Sequence, residues 1–324
     1  METVQNILSS FQNYLKGLDI PMAPEGLYGP VRYALSHGGK RMRPVLLILA
    51  YHLYRDDVEN AFDAACGMEI FHNCTLLHDD VMDKAQLRRG MPTVHTKWNE
   101  NTAILSGDSM SFLAYHYIFK VAPCVLNPVL DTADKAFLGV CEGQQLDMDF
   151  ESRDDVTEQE YMEMIRLKTS VLPAASLKIG GILAGAPDAD CNCLYDFGEN
   201  LGLAFQLQDD FLDTYGDSEV FGKRIGGDIL CNKKTYLYVL ARSAGSPQQK
   251  KEFDFWSRYD GNDSELKIES VKRLYEETGV RERCLKRIGE LFDASFSFLD
   301  RIDTDKSRLS LLKDYATGLM NRKL

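Results

Sequence analysis

Apolar residues recur every three or four positions along most of the chain, the period of one face of an α-helix. One such run contains Ile70, Leu76 and Leu77, and another contains Leu201 and Phe205. Alternating runs of β-branched residues and Asn-Gly hairpin turns, the usual signals of strands, are nearly absent. The pattern therefore predicts an all-α protein, a bundle of roughly ten or more helices.

Glycine and proline fall mostly between these periodic segments, where they mark turns. The predicted breaks lie at positions 21–30, 38–39, 90–92, 123–128, 187, 216–227 and 245–247. A chain of 324 residues can form one large domain or two smaller ones. Because no low-complexity linker interrupts it, we predict a single domain over residues 1–324.

The charge balance and the apolar runs restrict the partners of the protein. With 37 Lys and Arg against 49 Asp and Glu, the net charge of −12 argues against nucleic acid as the main partner. No apolar stretch approaches the ~20 residues that span a bilayer, and the first positions lack the basic start of a targeting peptide. The eight cysteines form no CxxC pair, which favours reduced thiols. We therefore expect a soluble, cytoplasmic protein.

The pattern Asp-Asp-x-x-Asp occurs twice, 130 positions apart, in Asp79-Asp80-Val81-Met82-Asp83 and in Asp209-Asp210-Phe211-Leu212-Asp213. These are the two acidic clusters. On a helix, the first and last aspartates of each lie on one face, separated by about 6 Å of rise. Such carboxylates repel one another unless a cation lies between them, and hard oxygen ligands suit Mg²⁺. For one cluster, a solvated helix face would be the better interpretation. Both clusters, however, follow apolar helical segments.

Basic residues also follow each cluster: Arg88 and Arg89 after the first, Lys223 and Lys233 after the second. Carboxylates accompanied by Arg and Lys suit a polyphosphate that metal ions bridge to the protein. Neither GxxxxGK[ST] nor GxGxxG occurs, so a glycine-rich phosphate loop is excluded. The clusters therefore predict a metal-dependent enzyme of diphosphate chemistry.

A longer set of motifs, in a fixed order between about positions 30 and 240, resembles the trans-isoprenyl diphosphate synthases. Besides the two aspartate clusters, the set comprises Gly38-Gly39-Lys40-Arg41-Met42-Arg43-Pro44, His72, Arg88-Arg89-Gly90-Met91-Pro92, Gly143-Gln144, Lys168-Thr169, Phe205-Gln206-Leu207-Gln208, Gly222-Lys223 and Lys233. The resemblance implies the isoprenoid synthase fold, helices around a central cavity, and a homodimer. It also implies head-to-tail condensation of isopentenyl diphosphate with an allylic diphosphate (dimethylallyl, geranyl or farnesyl).

The same resemblance implies roles for individual residues. Asp79 and Asp83 would bind two of three Mg²⁺ ions and Asp209 the third, with Mn²⁺ as a possible substitute. Asp80 and Asp213 would be supporting metal ligands or would hold the other ligands in place. The allylic diphosphate contacts would be Arg88, Lys168, Thr169, Gln206, Lys223 and Lys233. The metal-free isopentenyl diphosphate site would be Lys40, Arg43, His72 and Arg89. The residues expected to carry catalysis are Asp79, Asp83, Arg88, Lys168, Asp209 and Lys223.

Other polar residues receive structural interpretations. His37, His78 and His95 are more typical of packed core or surface histidines, and Gln144 with Asp147 is expected to brace helices. The tail Asn321-Arg322-Lys323-Leu324 resembles the basic closing tails of some relatives, although short ends of this kind are usually disordered.

Product length is expected to depend on residues before Asp79, since in this family that helix forms a wall of the cavity. Cys74 and Thr75, five and four positions upstream, are not aromatic, and the first motif has no insertion. Phe71, one turn further, is a candidate floor, and so is Phe137 on a facing helix. We therefore predict geranylgeranyl diphosphate as the product, with farnesyl diphosphate or a longer prenyl diphosphate as the alternatives.

Two rival functions remain open. Terpene cyclases share a DDxxD cluster, but their second metal motif mixes Asn, Ser or Thr with Glu, and they lack an isopentenyl diphosphate site. A non-catalytic partner subunit typically loses aspartates of the first motif, whereas all six aspartates survive here. Both observations favour chain elongation.

Overall fold

The computed structural model describes residues 3–216, 225–259, 261 and 263–320, most of them in α-helices. The prediction of an all-α fold is confirmed. The helices are α1 Val4–Lys16, α2 Glu25–Ser36, α3 Met42–His52, α4 Phe62–Met82, α5 Val94–Lys97, α6 Glu100–Ile118, α7 Pro123–Glu151, α8 Glu158–Ile165, α9 Val171–Ala184, α10 Asp188–Tyr215, α11 Gly227–Leu230, α12 Tyr236–Ala244, α13 Pro247–Ser257, α14 Ser264–Glu277, α15 Val280–Leu299 and α16 Lys306–Met320. A 3₁₀ turn (Val58–Ala61), a π-helical segment (Arg166–Ser170) and strands β1 (Leu87–Arg88) and β2 (Met91–Pro92) complete the elements.

The chain divides into two compact units that interleave along the sequence. The first unit comprises residues up to Phe137, together with Ala175–Tyr195 and Ile302–Leu312. The second comprises Leu138–Ala174, Asp196–Arg301 and the residues from Lys313 onward. The single domain predicted from the sequence stays a prediction.

In the first unit, helix α4 is buried on nearly every side and packs against α3 and α6. A helix that is apolar all round belongs in a core rather than on a surface. The fully buried side chains of this core include Leu46, Leu47, Ile48, Leu49, Met68 and Ile70. Helix α4 ends at Met82, so the first aspartate cluster lies on its last turn and its C-cap.

In the second unit, the core forms where α12 packs against α8, α14 and α15. Its fully buried aromatic side chains are Phe197, Tyr236, Phe253 and Tyr275. Helix α8 continues into the π-helical segment, and the second aspartate cluster lies in the last two turns of α10. This arrangement places the cluster inside a helix rather than beyond its end.

Two predicted breaks proved wrong in detail. Pro30 lies inside α2 and Pro128 inside α7, which already begins at Pro123. Proline removes one backbone donor, and a helix tolerates that loss best near its start.

Among the described residues, no helix is both long and apolar enough to cross a membrane.

Candidate active site

The first aspartate cluster combines two accessible carboxylates with a buried one. Asp79 is half-buried and Asp83 exposed, whereas Asp80 is only 4% exposed. Nε of Arg88 donates to Oδ1 of Asp80 at 2.7 Å, and Nη2 forms an ion pair with the same oxygen at 2.7 Å. Asp80 therefore holds Arg88 beside the cluster, and its predicted part in metal binding stays a prediction.

A two-residue turn between β1 and β2 carries the second arginine. Leu87 pairs with Pro92 and Arg88 with Met91. Arg89 and Gly90 form the turn with φ values of 53° and 77°, as a type I′ turn requires. A turn at positions 90–92 was predicted, but the hairpin was not, because Arg is not a residue that usually occupies a left-handed position.

Arg89 reaches from this turn to the loop before α3. Its Nη1 donates to the carbonyl oxygen of Gly38, and its guanidinium lies against Gly39. A Cβ atom on Gly39 would stand 2.6 Å from that Nη1, whereas a Cβ on Gly38 would meet no atom within 4 Å. Gly39 thus leaves the space that Arg89 occupies.

Arg43 and His72, both predicted for the isopentenyl diphosphate site, are in contact. Nη1 of Arg43 lies 3.1 Å from Nε2 of His72. Burial, followed by the charges of Arg43 and Arg89, lowers the pKa of His72 well below its usual value, so the imidazole is neutral near pH 7. Burial lowers the pKa of Arg43 to about 10, which still leaves it charged. Its buried Nε has no hydrogen-bond partner within the part of the chain that the structure describes.

Arg41 has a structural role that the sequence did not reveal. It is 7% exposed, and its Nη1 donates to Oε1 of Glu69 at 2.5 Å. Its Nη2 donates to the carbonyl oxygens of Leu35 and His37, at 2.9 and 2.7 Å. Arg41 itself adopts a φ of 47° at the start of α3. The buried pair thus fixes the loop that carries Lys40, whose side chain is exposed.

The candidate chain-length residues form an aromatic layer in the first unit. The rings of Phe71 and Phe137 stack with centroids 3.6 Å apart and planes 8° from parallel. Tyr115 meets Phe137 edge-on at 5.4 Å. One turn nearer the aspartates, Cys74 Sγ lies 3.2 Å from Ser111 Oγ, so small groups occupy that level.

Thr75, the third candidate chain-length residue, is half-buried. Its hydroxyl donates to the carbonyl oxygen of His72 at 2.9 Å. This bond, directed back along α4, fixes the side chain close to its own helix.

In the second aspartate cluster, Asp210 is a buried acceptor. The Tyr161 hydroxyl and the Tyr236 backbone N–H both donate to its Oδ2, the latter at 3.1 Å. Nε2 of Gln206 donates to its Oδ1 at 3.0 Å, and the Thr169 hydroxyl donates to Oε1 of Gln206 at 3.0 Å. Burial raises the pKa of Asp210 to about 7, although these donors favour its ionised form.

The other two aspartates of this cluster differ in exposure. Asp209 is half-buried, whereas Asp213 is 9% exposed. Oδ2 of Asp213 accepts the backbone N–H of Asp228 at 2.9 Å, which caps the short helix α11. Asp213 therefore anchors the segment that leads to Lys233.

Lys168 lies in the π-helical segment and forms an ion pair with Asp147. A Cβ atom on Gly143 would lie 2.2 Å from the backbone nitrogen of Lys168, so Gly143 allows α7 to approach this segment closely. This close approach explains why the residue at position 143 is a glycine. The prediction that Asp147 serves structure is refined, since it holds a predicted substrate ligand.

Of the two remaining lysines predicted to contact the allylic diphosphate, the structure describes one. Lys233 is exposed, and its backbone N–H donates to the carbonyl oxygen of Asp228 at 2.9 Å. Lys223 and the tail at positions 321–324 lie outside the described residues.

The donor set fits magnesium better than a softer metal. Asp79 and Asp83 in the first cluster, and Asp209 in the second, each offer accessible carboxylate oxygens, the hard ligands that Mg²⁺ prefers in combination with phosphate and water. Within residues 3–216, 225–259, 261 and 263–320, no three His, Cys, Asp or Glu side chains gather closely enough to hold a metal without other ligands.

Comparisons with known proteins agree with this geometry. A family model described as polyprenyl synthetase matches residues 24–277. The geranylgeranyl diphosphate synthase of Methanosarcina mazei is 39% identical over 293 residues, or 90% of this chain and 85% of the relative. The geranylfarnesyl diphosphate synthase of Natronomonas pharaonis is 35% identical over 317 residues, or 92% and 91% of the two chains. A crystal structure of geranylgeranyl pyrophosphate synthase matches with a TM-score of 0.95 and 40% identity, covering 100% of both chains.

Proposed function

Since the chain belongs to the polyprenyl synthetase family, we propose that it is a magnesium-dependent prenyltransferase. It condenses isopentenyl diphosphate head to tail with an allylic diphosphate to form an all-trans prenyl diphosphate. The eight cysteines, without paired spacing, favour a reducing compartment, and we assign the activity to the cytoplasm.

One observation carries the proposal: Nη1 of Arg43 lies 3.1 Å from Nε2 of His72, and Arg89 donates to the carbonyl oxygen of Gly38 in the loop that carries Lys40. Because Glu69 pairs with Arg41 and Asp80 pairs with Arg88, the positive charges of Arg43 and Arg89 stay available for an anion. Arg43 also has a buried N–H to donate. We assign the isopentenyl diphosphate site to Arg43, His72 and Arg89 together with the exposed Lys40.

The allylic diphosphate contacts are assigned to Arg88, Lys168, Thr169, Gln206, Lys223 and Lys233. Cleavage of the allylic C–O bond leaves negative charge on the departing diphosphate, so cationic side chains stabilise the transition state more than the ground state. Mg²⁺ ions, for which Asp79, Asp83 and Asp209 would be ligands, would supply further positive charge at that diphosphate. The proton lost after condensation goes to the departing diphosphate, so no side-chain base is assigned.

We assign geranylgeranyl diphosphate as the product. The buried stack of Phe71 and Phe137 supports this assignment. Its two rings lie one turn of α4 further from the aspartates than Cys74, where they would stop the growing prenyl chain. A helical turn of about 5.4 Å is close to the length of one isoprene unit, so the level of the floor sets the number of units.

Replacing Phe71 by Ala is expected to lengthen the product by about one isoprene unit, because it removes one ring of the stack. Mass analysis of the products measures the change. Phe11→Ala, which truncates another buried ring of the same unit, serves as the control for general loosening of the core. An unchanged product distribution in Phe71→Ala would remove Phe71 from the assignment.

The direct test of the function uses purified protein, isotopic isopentenyl diphosphate and each of the three allylic diphosphates. We expect a magnesium-dependent prenyl diphosphate, which chelation by EDTA abolishes. A hydrocarbon or alcohol formed without isopentenyl diphosphate would indicate a terpene cyclase. Absence of product from all three allylic substrates would favour a non-catalytic subunit.

We also propose that the protein is a homodimer. Helix α6 presents apolar side chains to solvent, with Ile104 45%, Leu105 59% and Phe112 76% exposed. Exposed apolar side chains grouped on one helix are typical of protein interfaces. A second copy of the chain, related by two-fold symmetry, would cover the same face on both protomers.

A further inference from the structure

Four side chains of the second unit form a continuous hydrogen-bonded chain. Tyr161 donates to Asp210, Asp210 accepts from Gln206, and Gln206 accepts from Thr169. Tyr161 and Asp210 are buried, at 3% and 4% exposure, whereas Gln206 and Thr169 are half-buried. The buried pair Tyr161 and Asp210 thus connects to Gln206 and Thr169, the two residues proposed to contact the allylic diphosphate.

The ionised form of Asp210 determines which way the Gln206 amide turns. An ionised carboxylate can only accept hydrogen bonds, whereas a glutamine amide can donate or accept according to which way it turns. Because Oδ2 of Asp210 already accepts two donors, Oδ1 is the oxygen that meets Gln206. When Asp210 is ionised, the amide nitrogen of Gln206 therefore faces Asp210 and its oxygen faces Thr169.

We propose that Tyr161 and Asp210 are positioning residues that fix the orientation of the Gln206 amide for the ionisation step. This inference rests on the proposed function. With the amide held in this way, its oxygen presents the negative end of a dipole where the allylic carbon becomes positive. A preorganised dipole stabilises the transition state without reorganising during the reaction.

The test compares two Tyr→Phe variants that each break one hydrogen bond from a tyrosine to an aspartate of α10. Tyr161→Phe breaks the bond to Asp210, and Tyr54→Phe breaks the 2.8 Å bond to Asp190 at the other end of that helix. We expect Tyr161→Phe to lower kcat about tenfold with KM values for both substrates within about twofold. Tyr54→Phe should leave kcat unchanged at a similar melting temperature.

A double-mutant cycle separates positioning from general support of the fold. In a Gln206→Ala background there is no amide to orient, so Tyr161→Phe should lower kcat by less than about twofold. Asp210→Asn, which also allows the amide to turn, supplies a second variant if Tyr161→Phe folds poorly. Its kcat should fall without loss of affinity for a non-ionisable thio-analogue of the allylic diphosphate.

These measurements distinguish failure of the proposed prenyltransferase function from failure of the positioning role of Tyr161 and Asp210. A wild-type protein that forms no prenyl diphosphate removes the proposed function and with it this role. An active wild type in which Tyr161→Phe matches Tyr54→Phe removes the positioning role alone. Equal losses of kcat for Tyr161→Phe with and without Gln206 would likewise overturn it.

Discussion

At the scale of single residues, the pair of Arg41 and Glu69 shows how a charged side chain serves as a fixed part of the scaffold. The two side chains are 6% and 2% exposed, so both charges have left water. Asn73 completes the arrangement by donating to Oε1 of Glu69 at 3.1 Å. Such a pair stabilises a fold only while both members are present, because either charge alone is costly to bury.

Glu69→Met is therefore expected to lower the free energy of unfolding by about 3–5 kcal/mol, since it leaves a buried guanidinium without its carboxylate. Urea unfolding followed by circular dichroism measures the loss. The double variant Arg41→Met with Glu69→Met is the control, and it should recover much of the stability because no charge stays buried. Equal losses in both variants would contradict this account.

Gly39 and Gly38 offer a second test at this scale. Gly39→Ala would push the flexible end of Arg89 aside, so we expect a KM for isopentenyl diphosphate several-fold higher, by roughly 1 kcal/mol of binding, with little change in stability. Gly38→Ala, whose Cβ meets nothing, should leave KM unchanged. Steady-state kinetics compare the two, and equal KM values would exclude Arg89 from the site.

Many of these residues could be predicted from the sequence, but which of them are buried could not. Lys40, Arg41 and Arg43 lie within four positions of one another. Only the structure shows that the side chain of Lys40 is exposed, whereas that of Arg41 is buried in an ion pair with Glu69. A guanidinium has the same chemistry in both settings. Its role depends on which carboxylate the fold brings near, and residue type does not encode that.

At the scale of elements, the π-helical segment Arg166–Ser170 depends on the close approach of α7 at Gly143. Gly143→Ala is expected to lower the free energy of unfolding by about 1–3 kcal/mol, because its Cβ would meet backbone atoms that cannot move away cheaply. It should also lower kcat, since Lys168 and Thr169 lie in the displaced segment.

Gly139→Ala is the matched control on the same helix, because its Cβ would meet side-chain atoms at an ordinary 3.5 Å. Thermal unfolding of the two variants gives the comparison. A Gly139→Ala variant as unstable as Gly143→Ala would show that helix α7 resists alanine in general.

Elements that obey a regular period were predictable, and irregular ones were not. The apolar spacing before Asp79 and Asp209 indicated α4 and α10 correctly. The Arg89-Gly90 hairpin and the π-helical segment escaped prediction, since contacts distant in sequence stabilise them. Arg89, for example, is held by the carbonyl oxygen of Gly38, 51 positions away.

At the scale of the whole molecule, the exposed face of α6 bears on assembly. Phe112→Glu should convert the proposed dimer to a monomer, because a two-fold interface would bury the charge twice. Sedimentation velocity measures the mass. Phe255→Glu is the control, because it changes a phenylalanine that is 58% exposed on a different helix, α13. A Phe112→Glu variant that sediments like the wild type would place the interface elsewhere.

The ion pairs of Arg88 with Asp80 and of Lys168 with Asp147 also bear on which solutes the protein accepts. Each cation already has a carboxylate, so a singly charged anion such as chloride or acetate gains little by replacing one negative partner with another. A diphosphate, with several charges on adjacent oxygens, gains more than it displaces. In a cell crowded with small anions, these internal carboxylates act as competitors that only the most highly charged ligands overcome.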